Sequence, residues 1–399
     1  MSLNAWIVNA HALPPSQGGG TRHYSLVKTL NENGFNATLI ASDAHYAFGK
    51  RLTSRRGREV LEGVPFYWVP APIYKGNSLR RVLNHIVFAQ RVAALRPDPD
   101  LPKPDVIVGS SPHFFAAWAA ERLARRMGVP FVMEIRDFWP QSLVDFGGVP
   151  ESHPMVRWMR GIEPRLYKNS ARIISLLGRA HDYLKGFGIP ADRVVWVPNG
   201  IDLRIAPAPT PQPNNSPFIV TYSGAHGVAN GLDTLLDAAA KLKGEPIKIR
   251  LVGDGPLKPA LVARAQAENL TNVEFLDSVA KSQIFGVLQQ SDAFTTLAVD
   301  AAVFKWGISP NKVFDYLAMA RPIVFAGRVP DSPVEMAKAG IITDVDAESL
   351  AAGLRSASQL SLEERTVLSA NGRAYVEANH DMEKLALRFG EALRAAANA

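Results

Sequence analysis

A proline-rich polar segment at residues 206–217 limits the possible folds most strongly, because it separates two series of alternating strands and helices. Prolines stand at positions 207, 209, 211, 213 and 217, a spacing that suits neither a helix interior nor a paired strand. On each side, short apolar runs alternate with amphipathic segments, which is typical of α/β sheets. The 399 residues fit two such domains. We predict an N-terminal domain at 1–202, a C-terminal domain at 203–378, and a C-terminal helix at 379–399, for which packing back on the N-terminal domain is one option.

Both predicted domains open with a strand and a glycine-bearing loop. In the first, a strand at residues 4–10 leads to Gly18-Gly19-Gly20 and a helix; in the second, a strand at residues 218–223 leads to Gly224 and Gly227. Such a loop lets the backbone approach a phosphate or a sugar closely. The first loop is not Gly-x-Gly-x-x-Gly, so the dinucleotide-binding pattern is absent there. The cleft between the two domains is the expected ligand site.

Residues 307–324 predict a loop, a helix and a strand in succession. Ser309 is a good N-cap, and Pro310 suits the first helical position. The free amides and positive dipole end of such a helix favour a phosphate in front of it. Lys312 would lie in the first turn and add a full charge, and Asp315 would follow about a turn later, where a carboxylate accepts hydrogen bonds from sugar hydroxyls. The alternative interpretation is an ordinary capped surface helix.

Polar side chains follow two predicted strands of the N-terminal half. His113 comes after a strand at residues 105–109, and Glu134 lies near the end of a strand at residues 131–135 that leads into Arg136 and Asp137. Ligands of open α/β sheets gather beyond the carboxyl ends of the strands, so these side chains are placed to line a cleft. The alternatives are a structural histidine at position 113 and a simple pairing of Arg136 with Asp137.

Positive charge is concentrated in the first half of the chain. Residues 1–200 hold 25 Lys and Arg against 15 Asp and Glu, whereas the remainder holds 19 against 22. This excess indicates an anionic partner, such as a phosphorylated acceptor, an anionic membrane surface or nucleic acid, although a solvated basic surface without a partner is equally compatible. The basic amphipathic segment at residues 78–95 either lies on an anionic membrane or faces the core with a basic edge. Nucleic acid is disfavoured, because the charge is scattered and no recognised motif is present.

Composition excludes several other classes of site. The chain has no cysteine, which rules out disulfides and thiolate metal sites. No signal segment and no apolar stretch of about 18 residues is recognised. We therefore expect a cytoplasmic protein, with peripheral attachment to the inner face of the cytoplasmic membrane as an option. No carboxylate cluster that demands a metal ion is recognised, so no metal is expected.

Five motifs resemble one enzyme family in order and spacing. They are Gly18-Gly19-Gly20, Pro198-Asn199-Gly200-Ile201-Asp202, Tyr222-Ser223-Gly224 through Gly231, Leu251-Val252-Gly253-Asp254-Gly255-Pro256, and residues 309–324. Over nearly its whole length the chain resembles the retaining glycosyltransferases of family 4, which have the GT-B fold: two Rossmann-like α/β/α domains facing a central cleft. Residues 134–140 and 307–312 further resemble a branch acting in bacterial O-antigen and capsule assembly, which includes fucosamine transferases.

The resemblance implies a metal-independent transfer of a sugar, such as an N-acetylated amino sugar or a deoxysugar, from a UDP-linked donor to a lipid-linked saccharide or polysaccharide, with no cofactor. The donor-binding residues it implies are Gly19, Gly20, Gly224, Gly227, Gly253, Asp254, Gly255, Pro256, Ser309, Pro310, Asn311, Lys312 and Asp315. The acceptor-binding residues are Gly18, Arg22, His113, Glu134, Arg136 and Asp137. The catalytic residues are Lys312, Asp315, His113, Arg136 and Asp137.

The chain also departs from the family pattern. The family often has two glutamates with seven residues between them; here Asp315 takes the second position and Gly307 the first. The usual Arg/Lys pair near the start of the second domain is missing, since residues 224–231 contain only His226. We expect Lys312 and the helix N-terminus to neutralise the diphosphate instead. Many members have a histidine where this chain has Arg136. The alternative function is a nucleotide-sugar epimerase or another GT-B enzyme with a soluble acceptor, such as a glycogen-type synthase.

Overall fold

Two β-sheets covered by helices make up the protein, seen here in a computed structural model. It describes residues 2–17, 21–45, 49–53, 55–74, 76, 79–112, 114–280 and 283–399. The chain divides into a first unit, Met1–Pro198 with Met382–Ala399, and a second unit, Asn199–Asp381. None of the helices in these ranges is long and apolar enough to cross a membrane.

The first unit contains eight strands among its described residues. They are β1 (Leu3–Val8), β2 (Phe35–Ser42), β3 (Gly57–Leu61), β4 (Val64–Val69), β5 (Val106–Ser110), β6 (Phe131–Ile135), β7 (Arg172–Ser175) and β8 (Val194–Trp196). Their order in the sheet is β3-β4-β2-β1-β5-β6-β7-β8, and only β3 runs antiparallel to its neighbour. The central strands β1 and β5 are continuous apolar runs because helices cover both faces of the sheet.

The helices of the first unit are α1 (Arg22–Glu32), α2 (Leu79–Ala93), α3 (Phe114–Met127), α4 (Gln141–Gly147), α5 (Pro154–Asn169), α6 (Ala180–Lys185) and, from the end of the chain, α14 (Met382–Ala397). Helix α14 belongs to this unit because its apolar face completes the core. Leu385, Phe389 and Leu393 are fully buried in one cluster with Leu26 and Leu30 of α1.

The second unit is a six-stranded, wholly parallel sheet in the order β11-β10-β9-β12-β13-β14. The strands are β9 (Phe218–Ser223), β10 (Ile247–Val252), β11 (Val273–Leu276), β12 (Ala293–Leu297), β13 (Ile323–Ala326) and β14 (Gly340–Thr343). The helices are α7 (Leu232–Lys241), α8 (Lys258–Ala267), α9 (Ile284–Leu288), α10 (Asn311–Ala318), α11 (Pro333–Met336), α12 (Ala347–Gln359) and α13 (Leu362–Asn379). The strand order reverses between β9 and β12, and such a switch point creates a ligand crevice at the carboxyl ends of the strands.

Two sequence predictions of secondary structure are wrong. Strand β3 was not expected, because the preceding residues are basic and its own apolar residues are few; it is an edge strand whose burial alternates. The helical pattern of the sequence also runs without interruption over residues 362–397, but the structure has two helices there, α13 and α14. The break falls at His380, whose carbonyl accepts a hydrogen bond from the Ile201 amide at 2.9 Å and whose ring stacks on Phe314 with centroids 4.1 Å apart. These contacts hold His380 and Asp381 out of helical conformation.

We predict that the packing of α14 against the rest of the first unit leaves no room for a side chain at Gly390. A Cβ there would lie 2.8 Å from Phe35 Cζ and 2.9 Å from Leu30 Cδ2, whereas a Cβ at Gly161 of α5 would meet nothing within 4 Å. Gly390→Ala should lower the free energy of unfolding by about 1–2 kcal/mol through overpacking. Gly161→Ala should raise it by up to about 1 kcal/mol through helix propensity. Chemical denaturation checks both, and equal effects would contradict the packing described here.

Candidate active site

Two glycine loops of the second unit touch backbone to backbone at the carboxyl ends of β9 and β10. A Cβ on Gly253 would lie only 2.0 Å from the carbonyl oxygen of Gly224, and the φ angle of Gly253 is +146°. A Cβ on Gly255 would lie 2.5 Å from the carbonyl oxygen of His226. Side chains are therefore excluded from this contact. The two loops therefore pack against each other beside the switch point, and a loop with bare glycine backbone is one that a phosphate can approach closely.

The ammonium group of Lys312, in the first turn of α10, lies over the same loops. Its Nζ donates hydrogen bonds to Asn230 Oδ1 at 2.6 Å and to the Tyr222 hydroxyl at 2.9 Å, and it stands 4.3 Å from the centre of the Tyr222 ring. The Tyr222 hydroxyl in turn donates to the carbonyl of Ala225 at 2.8 Å, and Asn230 Nδ2 donates to the same carbonyl at 2.9 Å. One network thus joins Lys312 to the loop after β9.

Burial lowers the pKa of Lys312 to about 7. The groups bonded to its ammonium in the described structure are a hydroxyl, an amide oxygen and an aromatic ring, none of which carries a negative charge. A desolvated cation with neutral partners is stabilised by any anion that takes a place beside it. The arrangement therefore favours a negatively charged ligand at Lys312.

The start of α10 differs from the prediction in its cap. Pro310, not Ser309, is the N-cap residue, and no side chain caps the helix. The Ser309 hydroxyl instead accepts a hydrogen bond from the Asn199 amide at 2.8 Å, and the Asn199 side chain donates to the Ser309 carbonyl at 2.6 Å. Ser309 therefore fixes the loop that precedes the helix. The free amides at the helix start keep their positive dipole end without a side-chain partner.

Asp315 lies one turn after the start of α10 and is 8% exposed. Its neighbour Tyr316 is buried, and the Tyr316 hydroxyl accepts a hydrogen bond from the Ser223 amide at 2.6 Å, which ties α10 to the end of β9. Asp254 is exposed, and its Oδ1 accepts a hydrogen bond from the Gly255 amide at 2.7 Å, so this side chain shapes its own loop. The ligand contacts predicted for Asp315 and Asp254, and for the neighbouring Gly227, Pro256 and Asn311, stay predictions.

Three further residues of this region were missed by sequence reasoning. Tyr222 and Asn230 hold Lys312, as described above. Lys258 Nζ donates to the carbonyls of Gly253 at 2.9 Å and Leu276 at 3.1 Å, so it ties the second glycine loop to the end of β11. Most of these partners are far apart in sequence, so no local pattern signals their contacts.

In the first unit, the structure places Arg22 and Glu134 in one buried cluster. Arg22 Nε donates to Glu134 Oε1 at 3.0 Å, and its other nitrogens donate to the carbonyls of Val197 and Pro198. His23 Nε2 lies 2.5 Å from Glu134 Oε2, and the Asn9 amide lies 3.1 Å from His23 Nδ1. Because the Asn9 amide donates to Nδ1, the ring proton is on Nε2 and is donated to Glu134. The acceptor contacts predicted for Arg22 and Glu134 stay predictions; what the structure shows is their pairing.

The charges of this cluster are those of a carboxylate and a guanidinium. Burial disfavours the charged form of Glu134, but attraction to His23 and Arg22 outweighs burial and holds the pKa of this carboxyl below its usual 4.5. Burial lowers the pKa of His23 and so favours its neutral form. The group that stays positively charged beside Glu134 is therefore the Arg22 guanidinium. The cluster joins the end of β6 to the start of α1 and fixes the carboxyl edge of the sheet.

Arg136 follows directly after β6 and keeps one polar atom unused. Its backbone amide donates to Ser111 Oγ at 2.8 Å, but its side-chain Nε is buried without a hydrogen-bond partner among the described residues. Asp137, next to it, is exposed. Both remain candidates for contact with a ligand. The predictions for Gly18, Gly19, Gly20 and His113 lie outside the described residues.

The prediction that no metal is needed overlooks two Asp-x-Asp sequences, Asp98/Asp100 and Asp344/Asp346. In the structure Asp98 Oδ1 accepts from the amides of Asp100 and Leu101, Asp344 pairs with Arg328, and Asp346 caps α12. Within the described ranges no group of three or more histidines and carboxylates is arranged to hold a metal ion.

Both units match family models of one enzyme class. Residues 17–200 match the model described as a glycosyl transferase 4-like domain, and residues 217–359 match the model described as glycosyl transferases group 1. WcaI of Escherichia coli (strain K12), named as a colanic acid biosynthesis glycosyl transferase, is 24% identical over 401 residues, which cover 94% of this chain and 96% of WcaI. WbjE of Pseudomonas aeruginosa, named as a glycosyltransferase, is 22% identical over 211 residues, covering 50% of this chain and 51% of WbjE.

Several solved structures share this fold. Sucrose-phosphate synthase from Thermosynechococcus elongatus superposes with a TM-score of 0.75 at 15% identity and covers 98% of both chains. HepE of Anabaena, solved with UDP and glucose, gives 0.69 at 15% identity over 98% of this chain and 99% of HepE. WaaG, a glycosyltransferase involved in lipopolysaccharide biosynthesis, gives 0.68 at 14% identity over 98% and 99%. At these identities the likeness establishes the fold.

We predict that Glu134→Gln strongly destabilises the first unit, because it leaves the Arg22 guanidinium buried without a counter-charge. The free energy of unfolding at pH 7 should fall by about 3–5 kcal/mol. Since the pKa of Glu134 is lowered by folding, its stabilisation is complete above about pH 4.5 and is lost as the pH falls below that value. The difference between wild type and variant should therefore shrink in acid.

Urea denaturation at pH 7 and in acid, followed by tryptophan fluorescence, measures this difference. The matched control is Glu151→Gln, which removes an exposed carboxylate paired with Arg160 at 2.8 Å and should cost less than about 1 kcal/mol. A loss as small for Glu134→Gln as for the control would refute the buried ion pair.

Proposed function

The chain belongs to the glycosyltransferases with the GT-B fold, and we propose that it transfers a sugar from a UDP-linked donor to a lipid-linked saccharide or polysaccharide of the bacterial surface, with retention of configuration and without a metal ion. The observation that carries this proposal is Lys312, a partly buried ammonium with neutral partners above two loops of bare glycine backbone. A nucleoside diphosphate supplies the missing negative charge there, and bare glycine backbone lets its phosphates approach closely.

In this proposal the second unit binds the nucleotide. Asp315 holds the ribose hydroxyls, and the Gly253–Gly255 turn with the end of β11 lines the base pocket. HepE, which shares the fold, was solved with UDP, and this supports UDP as the nucleotide. Gly307 puts no side chain where the family often has its first glutamate. A donor such as an N-acetylated amino sugar or a deoxysugar is therefore part of the proposal, as the resemblance to O-antigen and capsule enzymes implies.

The proposed chemistry depends on stabilising the leaving group. The bond between the sugar's anomeric carbon and the diphosphate oxygen breaks, and a bond forms from the same carbon to the acceptor hydroxyl oxygen on the same face. The hydroxyl proton passes to the departing phosphate oxygen. Negative charge builds up on the diphosphate, and Lys312 with the free amides of α10 is placed to stabilise it, which is the largest kind of contribution in such sites. In the first unit, Arg136 and Asp137 would face the sugar and the acceptor.

The acceptor is the least constrained part of the proposal. The excess of Lys and Arg in residues 1–200 supports an acceptor that carries phosphate. The relatives named for colanic acid and lipopolysaccharide synthesis support a surface saccharide. Attachment to the inner face of the cytoplasmic membrane follows as a proposal from an acceptor of this kind. The family matches favour a transferase over an epimerase; turnover of the donor without any acceptor would reverse that preference.

We predict that UDP binds with micromolar affinity and that Asp315→Ala and Asp315→Asn each weaken binding by at least about tenfold, through the loss of charge-assisted hydrogen bonds to the ribose. Calorimetric titration with UDP, GDP and inorganic phosphate measures this. Asp315→Asn keeps the shape of the side chain, so a loss in both variants separates the ribose contact from a packing defect. No binding of any nucleotide by the wild type would remove the support for a nucleotide-sugar transferase.

A second prediction uses the lowered pKa of Lys312, which is about 7. The Lys312 amine carries its positive charge below that pH and loses it above. The affinity for UDP should therefore fall between pH 7 and pH 8.5 by up to about tenfold. Lys312→Arg should abolish this dependence, because a guanidinium stays charged throughout the range. Lys312→Ala should lower kcat by about 10²–10³ at saturating donor. Full turnover by Lys312→Ala would exclude the leaving-group role.

A further inference from the structure

A second charged pocket lies in the first unit, at the carboxyl ends of β2 and β4. It has a volume of about 430 Å³, and its charged lining consists of Asp43, Arg51, Arg55, Arg56 and Arg91. Asp43 follows β2, the segment after β4 forms the opposite wall, and Arg91 comes from α2. In parallel α/β sheets this edge is where ligands bind. The functional site proposed above does not use any of these residues.

The arginines that line the pocket carry more positive charge than its one carboxylate can neutralise. Arg51 pairs with Asp43, the one carboxylate in the lining. Arg91 Nη1 donates to the carbonyl of Pro70 at 2.7 Å, which leaves its charge uncompensated. The guanidinium groups of Arg55 and Arg56 are exposed and have no hydrogen bond or ion pair within the described parts of the chain. Guanidinium groups gathered around a concave space suit a phosphate, which accepts paired hydrogen bonds from them.

Hydrogen bonds hold together the segments at the base of the pocket, which a chance gathering of surface arginines would not require. Asp43 is 4% exposed, and its Oδ1 accepts a hydrogen bond from the Ala71 amide at 2.8 Å. Its own amide donates to the carbonyl of Val69 at 3.2 Å, and its carbonyl accepts from the Leu52 amide at 2.8 Å. Asp43 thus joins β2 to the end of β4 and fixes the segment that carries Arg51.

Helix α2 runs from this pocket to an exposed apolar end. Leu79, Leu83, Val87 and Arg91 follow one another at four-residue spacing, so they share one face of the helix. Val87 and Arg91 line the pocket, whereas Leu79 is 89% exposed and Leu83 50% exposed. Val82 and Ile86, beside them, are each 37% exposed. An α-helix rises about 1.5 Å per residue, so this face is about 18 Å long.

An exposed apolar face that ends in a basic pocket matches a ligand with an apolar chain and a phosphate head. We propose that the pocket binds the diphosphate of a lipid-linked acceptor, and that the apolar face of α2 carries the adjoining part of the lipid chain. The identity of this ligand as the acceptor rests on the proposed function, whereas the binding itself does not. A flat bilayer surface needs no concave pocket, and a free diphosphate makes no use of an exposed apolar helix face.

The test measures binding of three probes to the full-length chain by calorimetry. They are inorganic pyrophosphate, geranyl diphosphate, and vesicles of phosphatidylcholine with phosphatidylglycerol. All titrations use the Lys312→Ala variant, so that the diphosphate site of the second unit does not compete. The pocket variant is Arg55→Gln with Arg56→Gln, and its matched control is Arg58→Gln with Arg96→Gln, which removes the same charge from exposed arginines outside the pocket.

We expect geranyl diphosphate to bind at least about tenfold more tightly than pyrophosphate, because it adds apolar contact. The pocket variant should bind geranyl diphosphate at least about tenfold more weakly, through the loss of charge-assisted hydrogen bonds. The control variant should lose less than about twofold in affinity. Leu83→Gln should reduce the preference for geranyl diphosphate while leaving pyrophosphate unchanged. Val60→Gln, a change at an exposed valine of β3, should alter neither.

Three outcomes would overturn the proposal. Equal affinity for pyrophosphate and geranyl diphosphate would assign the pocket to a free phosphate compound. Vesicle binding that needs Arg55 and Arg56, without binding of geranyl diphosphate, would assign it to a phospholipid headgroup. Unchanged affinity in the pocket variant would show that these arginines bind no diphosphate. UDP binding by the Lys312 wild type is measured separately, so failure here is distinguishable from failure of the transferase proposal.

Discussion

The ammonium group of Lys312, held by neutral partners, is the interaction on which the proposed site depends. A tyrosine ring, a tyrosine hydroxyl and an asparagine oxygen keep it in place above the glycine loops, and burial reduces its preference for the charged form. A carboxylate partner would have kept it charged but would also have opposed an incoming diphosphate. In the present arrangement the Lys312 ammonium remains available to attract an anionic ligand, and the ligand supplies the counter-charge that the protein itself does not provide.

The fold was largely predictable from local patterns. Strands β4, β6, β9 and β13 begin and end at the limits of short apolar runs, because each run is bounded by proline, glycine or a charged residue. Strand β3 and the break at His380 were not predictable in this way. The first pairs at a sheet edge with few apolar residues of its own, and the second depends on contacts between His380 and residues about 180 positions earlier.

The candidate site was predictable only where a local sequence pattern marks it. The glycines of the two loops and Lys312 stand out, since glycine after a strand and a lysine in the first turn of a helix are local signals. Tyr222 and Asn230 lie in a stretch that resembles the family, but nothing local signals their contacts with Lys312. The contact of Lys258 with the end of β11 carries no local signal either, because the sheet brings these partners together. Conversely, Arg22 and Glu134 look like ligand residues in sequence because they lie at strand and helix ends. The structure shows each of them neutralising the other in a buried cluster.

The contribution of α14 to the first unit has a consequence for how the protein is made. Leu385, Phe389 and Leu393 complete a core whose other members, such as Leu26 and Leu30, are synthesised before any residue of the second unit. The second unit, Asn199–Asp381, is one continuous segment and has all its residues before α14 is made. During translation, domains fold as units once their residues have emerged. The first unit therefore emerges from the ribosome before the second unit but can finish folding only after it, and a chain that lacks α14 leaves the apolar core of the first unit open to solvent.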